Sequence, residues 1–465
     1  MKVTMGKIVS LAKRRGFIFP SSEIYGGISG VWDYGPVGVL FKNNIKNEWL
    51  KSMVQEREDI IGLDSAILMN PKVWDASGHT EAFADPLVEC KKCHKRYRAD
   101  QLVESLRKEE EGVTTRKDLE KLKKALKGVE CPECGGPMTE PRMFNLLVPA
   151  YLGVLEDNKK PVWLRGETCQ GIYVNYDSAR VSTRKKIPFG IAQIGKVFRN
   201  EITPGNFIFR SIEFEQMEMQ YFVNPKEADK WFKYWKPQRL QWYQNLGIKK
   251  ENLRLRQHAK DERAHYAKDA YDVEYKYPFS AKGGSASGGS WKELEGVHNR
   301  GDWDLSRHSK YSGRDLSYFD QDTGENFTPF IIETSAGADR AALVFLLDAY
   351  HEEEVKGETR VVLRLNKKIA PIKVAILPLS KHKDLSPKAR EVFEALKDKF
   401  MCEYDETQSI GKRYRRQDEI GTPYAVTVDF ETLKDQAVTV RDRDTMKQDR
   451  IKIKDLDSYL CDKLE

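Results

Sequence analysis

The chain contains no GxxxxGK[ST] stretch, so the commonest cradle for nucleotide phosphates, a glycine-rich loop of backbone amides, is missing. No apolar run approaches the roughly 20 residues that a membrane-crossing helix needs. The seven cysteines are too few and too unevenly placed for a disulfide scaffold, which points to a reducing, cytoplasmic compartment. The opening residues 1–17 carry Lys and Arg but neither the apolar core nor the cleavage site of a secretion signal. They read as an amphipathic helix, Gly6 to Arg14. There is no internal repeat. What is present is a soluble, globular composition over 465 residues, enough for two to four domains and a sizeable core.

The net charge of +7 suits a polyanionic partner such as RNA and equally suits an ordinary lysine-rich surface. The excess is concentrated at Lys381 to Lys399 and at Lys412 to Arg416. After the first helix comes a Gly/aromatic stretch. A helix is expected from about Val37 to Arg57, with Leu40, Ile45, Trp49 and Met53 on one face. A strand is expected at Ser65 to Met69, ending at Pro71.

Residues 88–142 read as an insertion. Its middle, Leu102 to Gly128, is rich in Lys and Glu and reads as one or two exposed helices, capped at Asp100 and Thr115 and stopped at Gly112 and Gly128. From 143 to 346, β-branched and aromatic runs alternate with polar loops, as in a large, mostly antiparallel sheet. Ala281 to Ser290 reads as a Gly/Ser loop or linker. Asn366 to Pro371 marks a boundary. Beyond it, Ile372 to Pro378 has the character of a buried parallel strand, Pro387 to Phe400 of a helix, Ala425 to Phe430 and Ala437 to Arg441 of strands, and Lys454 to Leu464 of a helix. This alternation predicts a small α/β domain.

Three features carry chemistry. Phe198-Arg199-Asn200-Glu201 is followed, after a polar loop, by Phe209-Arg210-Ser211-Ile212-Glu213-Phe214. Glu333-Thr334-Ser335-Ala336-Gly337-Ala338-Asp339-Arg340 leads into an apolar run ending at Leu347. Arginine forks hold phosphate oxygens bidentately and keep their proton at neutral pH, so they can replace a P-loop. Glu201, two residues after Arg199, would share its face of a strand and could accept from an adenine amino group. The third feature is Cys90-x-x-Cys93 with Cys131-x-x-Cys134. Four thiolates in two knuckles suit tetrahedral structural zinc, with Pro132, Gly135 and Gly136 making the turns. A demetallated relic or a redox pair is the alternative.

Together with Gly16 to Gly38, Arg165-Gly166-Glu167-Thr168 and Asp302 to His308, the two arginine motifs resemble those of homodimeric glycyl-tRNA synthetases, members of the class II aminoacyl-tRNA synthetases. The resemblance covers most of the chain. It implies an α+β catalytic domain with a mostly antiparallel sheet (1–87 and 143–366), a zinc-ribbon insertion (88–142) and a C-terminal α/β anticodon-binding domain (371–465). The implied activity is ATP-dependent ligation of glycine to the 3′ end of its tRNA through a glycyl-adenylate. ATP, glycine, glycine tRNA, Mg2+ and structural Zn2+ are the implied ligands.

By resemblance, Arg199 meets the α-phosphate, Glu201 reads the adenine amino group, Phe214 stacks on the base, and Arg340, helped by Arg210, holds the γ-phosphate. Asn200, Phe209, Leu294 and Gly337 complete the ATP set, and Glu293 binds magnesium. Glu167, Glu218 and Glu333 surround the glycine ammonium together with Ser335. Arg300 supports the carboxylate side, and Arg98 is a further substrate contact. Glu213, Glu215 and Glu218 lie close in sequence, and only alternate ones share a face. The segment Val37 to Pro71 resembles the family's dimer-forming motif; a core helix followed by a buried strand is equally natural.

Thr334 and Cys169 stand where the family usually has proline and alanine. Thr334 would loosen a turn presenting Ser335, and Cys169 reads as a small buried hydrophobe. The lysine-rich part of the insertion is either a solvated face or a contact for the tRNA acceptor end. The rival readings are another class II synthetase, a synthetase-like RNA-binding protein without catalysis, and a zinc-ribbon nucleic-acid-binding protein. The three phosphate-binding arginines argue for catalysis.

Overall fold

The computed structural model describes residues 3–106, 119–153, 160–259, 263, 267–279 and 285–464. Seven strands build the main sheet: β1 (Ile60–Gly62), β2 (Phe189–Phe198), β3 (Glu213–Val223), β4 (Leu253–Gln257), β5 (Asp269–Phe279), β6 (Ser285–Gly301) and β7 (Phe330–Gly337). Their order is β4-β5-β6-β7-β3-β2-β1. Every pairing is antiparallel except β1 with β2, where Ile60 lies opposite Gly190. The sheet is thus mostly antiparallel, as the sequence pattern predicts.

Strand β3 sets the logic of the molecule. Its residues alternate in face. Met217, Met219 and Tyr221 point into the main core and are fully buried. Gln216, Glu218 and Gln220 point the other way and are also buried. An alternation that would normally separate core from solvent here separates core from a polar cavity.

Helices α1 (Met5–Arg14), α2 (Pro36–Leu50), α3 (Cys169–Val174), α4 (Ala228–Asn245), α5 (Trp303–Ser312) and α6 (Ala338–Ala349) cover the sheet. Apart from Arg340, every residue of α6 is buried, as in a helix enclosed on all sides. It packs with α1, α2 and α4 in the main core. Gly38, in the first turn of α2, permits close approach: a Cβ there would lie 1.8 Å from the Phe17 carbonyl oxygen. On the opposite side, α3 and α5 form a smaller cluster with Phe189, Phe222 and Ile331.

Several expectations are corrected. The strand after α2 is β1 at Ile60–Gly62, not Ser65 to Met69, where Leu68 makes only an isolated bridge to Leu164. Pro71 opens a short helix, Pro71–Ala76, capped by the Asn70 side chain, because Asn-Pro is a helix start before it is a strand stop. The α-helical part of the second helix ends at Leu50 and continues as a wider turn over Lys51–Gln55. Residues 285–290 are the first part of β6, with Ser290 opposite Tyr277, rather than a linker; 281–284 lie outside the described residues. Thr334 sits within paired β7, opposite Met219 and Val297, not in a turn.

The insertion stands on a three-stranded sheet of Ala84–Glu89, Arg96–Arg98 and Arg142–Asn145. Its helices Ala99–Leu106 and Leu119–Leu126 bury Leu102, Val103, Leu122 and Leu126 in a core of their own. Asp100 lies inside the first helix rather than capping it, and Gly128 follows the second in a left-handed conformation. Gly112 and Thr115 lie outside the described residues.

The C-terminal unit has strands β8 (Val374–Pro378), β9 (Cys402–Tyr404), β10 (Tyr424–Val428), β11 (Ala437–Asp442) and β12 (Gln448–Lys452), in the order β9-β8-β10-β11-β12. β8 runs parallel to β9 and β10 and is wholly buried, as its apolar run predicts. Helices α7 (Leu385–Leu396), α8 (Ile410–Ile420) and α9 (Leu456–Leu464) complete it around a separate core. The basic cluster on α8 is partly structural. Arg413 is fully buried and caps the carbonyls of Pro378, Asp405 and Leu379, and Arg416 pairs with Asp405. At the joint with the first unit, Asp418 of α8 accepts from Arg360 at 2.8 Å and from Arg441 at 2.9 Å, all three being buried. Among the described residues, no helix is long and apolar enough to cross a membrane.

Candidate active site

The polar face of β3, with β6, β7 and the turn after Arg165, walls a cavity of about 210 Å³. Register brings the side chains together. Glu218 of β3 lies opposite Ser335 of β7, Gln220 opposite Glu333, and Glu333 opposite His298 of β6. The cavity is lined by Glu167, Glu218, Arg300, Glu333 and Ser335 at one end and by Arg199, Glu201, Phe209, Arg210, Phe214, Glu293, Gly337 and Arg340 at the other. Residues scattered over 174 positions therefore share one space.

The first end is anionic. Ser335 Oγ donates to Glu218 Oε1 at 2.6 Å, and Thr168 Oγ donates to Glu218 Oε2. Glu333 accepts from Gln220 at 3.0 Å, Arg300 at 2.9 Å and, with the proton on Nδ1, His298 at 2.9 Å. Glu167 lies 3.3 Å from His79 and accepts from Gln170 at 2.8 Å and from the Cys169 thiol at 3.0 Å. Burial opposes the charge of all three carboxylates, and their neighbours decide the outcome. His79 and Arg300 hold Glu167 well below the usual carboxylate range. Arg300 and His298 hold Glu333 low. Among the described residues Glu218 forms no ion pair: burial, with Glu333 and Glu167, pushes it up to about 7. Three carboxylates line this end against one arginine.

The other end is cationic. Arg199 and Glu201 lie just past the end of β2, in a loop rather than on a shared strand face. Arg199 donates from Nε to the Gly166 carbonyl at 3.0 Å and sits between the Phe83 and Phe214 rings. Arg340, in the first turn of α6, lies over Phe209 and 3.2 Å from Glu293. Burial and the nearby charges of Arg98 and Arg340 push Arg210 down, against the pull of Glu201. Crowded, half-buried guanidiniums beside a helix N-terminus favour a bound polyanion. Glu201 Oε2 is buried and lies 3.8 Å from Arg210 Nε, but among the described residues no group donates a hydrogen bond to it, so it can still take a donor from a ligand.

Three expected residues are not brought to the cavity wall. Leu294 is buried in the main core. Asn200 lies beside the cavity, where its backbone N–H donates to the Leu146 carbonyl. Arg98 is buried between Asp85 at 2.6 Å and Asp100 at 2.7 Å. Arg300 does line the cavity, but its guanidinium is committed to Asp304 and Glu333, so it stiffens the carboxylates. Sequence reasoning missed His79, Thr168, Gln170, Gln220, His298 and Asp304. Thr168 and Asp304 fall inside motifs already quoted; the others are recognisable only through strand register and turn geometry.

In the insertion, the sulfurs of Cys90, Cys93, Cys131 and Cys134 all lie within 4.8 Å of one another, and none forms a disulfide. Backbone amides of Lys92 and Cys93 donate to Cys90 Sγ, as knuckles do. The Tyr97 hydroxyl, 3.3 Å from Cys131, pushes that thiol down to about 6. A Cβ on Gly136 would lie 2.9 Å from Cys90 Sγ. Four clustered thiols fit zinc in donor type and number. His94 turns away to Glu89.

A family profile described as an anticodon binding domain matches residues 373–463. The chain is 54% identical to the glycine–tRNA ligase of Thermobifida fusca, over 99% of this chain and 98% of that protein. It is 55% identical to the glycine–tRNA ligase of Acetivibrio thermocellus, over 100% of this chain and 99% of that one. Among solved structures, prolyl-tRNA synthetase from Cryptosporidium parvum, complexed with L-proline and AMP, superposes with a TM-score of 0.62 at 14% identity. That match covers 98% of this chain and 77% of the other and shows a common fold.

Proposed function

The chain belongs to the glycine–tRNA ligase family, and from that premise we propose how its residues divide the work of joining glycine to tRNA at the expense of ATP. One observation carries the division: a single cavity is anionic at one end and cationic at the other. A zwitterionic amino acid fits the first end and a triphosphate the second.

In the first step a glycine carboxylate oxygen attacks the α-phosphorus of ATP. The new O–P bond forms as the bond to the β-phosphate bridging oxygen breaks, and pyrophosphate leaves. Arg199 meets the α-phosphate and Arg340, with Arg210, the γ-phosphate, so charge developing in transfer is met by groups already in place. Glu201 accepts from the adenine amino group through Oε2, which takes no hydrogen bond from the described residues. Phe214 faces the base. Glu293, a half-exposed carboxylate beside Arg340, has the hard oxygen donors that magnesium takes, and that ion would neutralise phosphate charge when bound. In the second step the terminal ribose hydroxyl of tRNA attacks the glycyl carbonyl and AMP leaves.

Glu218 takes the ammonium, flanked by Glu167, Glu333 and Ser335. Selection works by exclusion. Polar side chains closed on one another leave no apolar wall for a larger amino acid, and forcing one in costs roughly 1–3 kcal/mol or more. The four thiols hold a structural zinc. The C-terminal unit, which matches the anticodon-binding profile, meets the tRNA anticodon. The enzyme works in the cytoplasm as a homodimer. The exposed apolar tip of the N-terminal hairpin, formed by strands Ile18–Pro20 and Trp32–Tyr34 and carrying Ile24, Tyr25 and Ile28, supports a covering second copy, and light scattering on the purified chain tests it.

The deciding experiment is ATP–pyrophosphate exchange with glycine, alanine or serine, without tRNA. Exchange with glycine alone is expected. Exchange driven best by another amino acid would overturn the pocket assignment.

A further inference from the structure

A polar knot borders the nucleotide end of the cavity, which Asp339 also lines, and takes no part in the division of work above. Its centre is Asp339, 6% exposed, in the first turn of α6. Its carboxylate accepts from the Tyr34 hydroxyl at 2.7 Å, from Lys42 Nζ at 3.0 Å and from the Glu215 backbone N–H at 2.8 Å. Lys42, a buried residue of α2, also pairs with Glu215 at 2.6 Å and lies over the Tyr34 ring. Lys46, one turn further along α2, approaches Glu215 at 3.1 Å. Two lysines and two carboxylates balance in charge, as a buried ionic cluster must.

The reason for the knot lies in the strand register. The ladder between β3 and β7 stops at Gln216 opposite Gly337, where the chain turns into α6. The Glu215 amide is therefore beyond the last strand carbonyl, and Asp339 Oδ2 takes that carbonyl's place. An acidic residue early in a helix is favoured by the helix dipole alone, but that effect operates facing water and needs no partners. Asp339 is instead buried, with its oxygens spent on a hairpin strand, a helix and the sheet. Arg340 is the next residue along α6, and Phe214 is the residue before Glu215 on β3. The knot is therefore joined through the backbone to two residues that line the nucleotide cleft.

We propose that Asp339, held by Tyr34 and Lys42, is the positioning residue for Arg340, and that the N-terminal segment thereby sets how the triphosphate is gripped. This rests on the assignment of Arg340 to the γ-phosphate. The glycine end is anchored separately, through Glu218 and Glu333 in mid-strand, and does not depend on the knot.

The test is exchange kinetics on full-length Tyr34→Phe and Lys42→Gln chains, with thermal melts alongside. Misplacing one guanidinium should raise the KM for ATP roughly tenfold in both variants while the KM for glycine stays within about twofold. Lys42→Arg should recover part of the loss. A purely structural role would lower the melting temperature without separating the two KM values. An unchanged KM for ATP, or an equal rise in both, overturns the proposal. If Lys42→Gln does not fold, Tyr34→Phe, which removes one hydroxyl, still decides. Absence of glycine-dependent exchange in the unaltered chain would strike the parent assignment and this proposal together, whereas an active enzyme lacking the ATP-selective effect would strike the knot alone.

Discussion

Replacing Glu218 with glutamine should make the empty protein more stable above neutral pH while it abolishes glycine binding. The carboxyl rises from the usual 4.5 to about 7 through burial and its two acidic neighbours. That rise corresponds to about 3 kcal/mol against the charged form in the empty pocket. The sign follows from linkage: a carboxyl raised in the folded state binds more protons there than in the unfolded chain. Stability is therefore lost as pH climbs from about 4.5 to 7 and stays lost above that. Glutamine escapes this penalty but fits the hydroxyls of Thr168 and Ser335 less well, which returns about 1 kcal/mol. The net gain at pH 8 is about 2 kcal/mol, and it should vanish near pH 5. Thermal melts of the two proteins across that range measure it. In wild type, glycine must displace the Glu218 proton below pH 7, so its KM should climb by up to about tenfold per pH unit while saturated kcat stays level. A variant less stable than wild type by the same amount at pH 5 and pH 8, or a flat KM for glycine between pH 6 and 8, refutes the reasoning.

Arg340→Lys keeps the charge but loses the planar fork; exchange should fall by roughly 10²–10³ with the KM for glycine unchanged, measured at saturating ATP. Glu201→Ala should raise the KM for ATP about tenfold and narrow the preference for ATP over GTP, as read by exchange with each nucleotide. Elemental analysis should find about one zinc per chain, lost in Cys93→Ser. The same variant should retain glycine-dependent exchange, since the thiols lie outside the cavity.

Local chemistry made much of this legible. The apolar run that became β8 and the alternating residues of β3 announce themselves because one buried element dictates its own pattern. The arginines and glutamates of the cavity are visible as motifs. Which glutamate faces inward is not: alternation puts Glu213 and Glu215 on one face and Glu218 on the other, and only register shows that the Glu218 face meets Ser335. Arg98 and Arg300 mislead for a related reason. A lone arginine in sequence looks like a ligand contact, and only the fold shows carboxylates already holding it. The strand expected at Ser65 to Met69 failed because Asn70 and Pro71 act as a helix start, a signal that outranks a short apolar stretch.

Asp418, gripped by Arg360 from one unit and by Arg441 from its own, also bears on what the whole molecule can measure. Parting a buried carboxylate from two guanidiniums strands charge away from water, so the joint resists loosening. On the roles proposed above, the span from the anticodon end to the cavity would then act as calipers: a transfer RNA of the wrong reach would present its terminal hydroxyl poorly, whatever bases it carries.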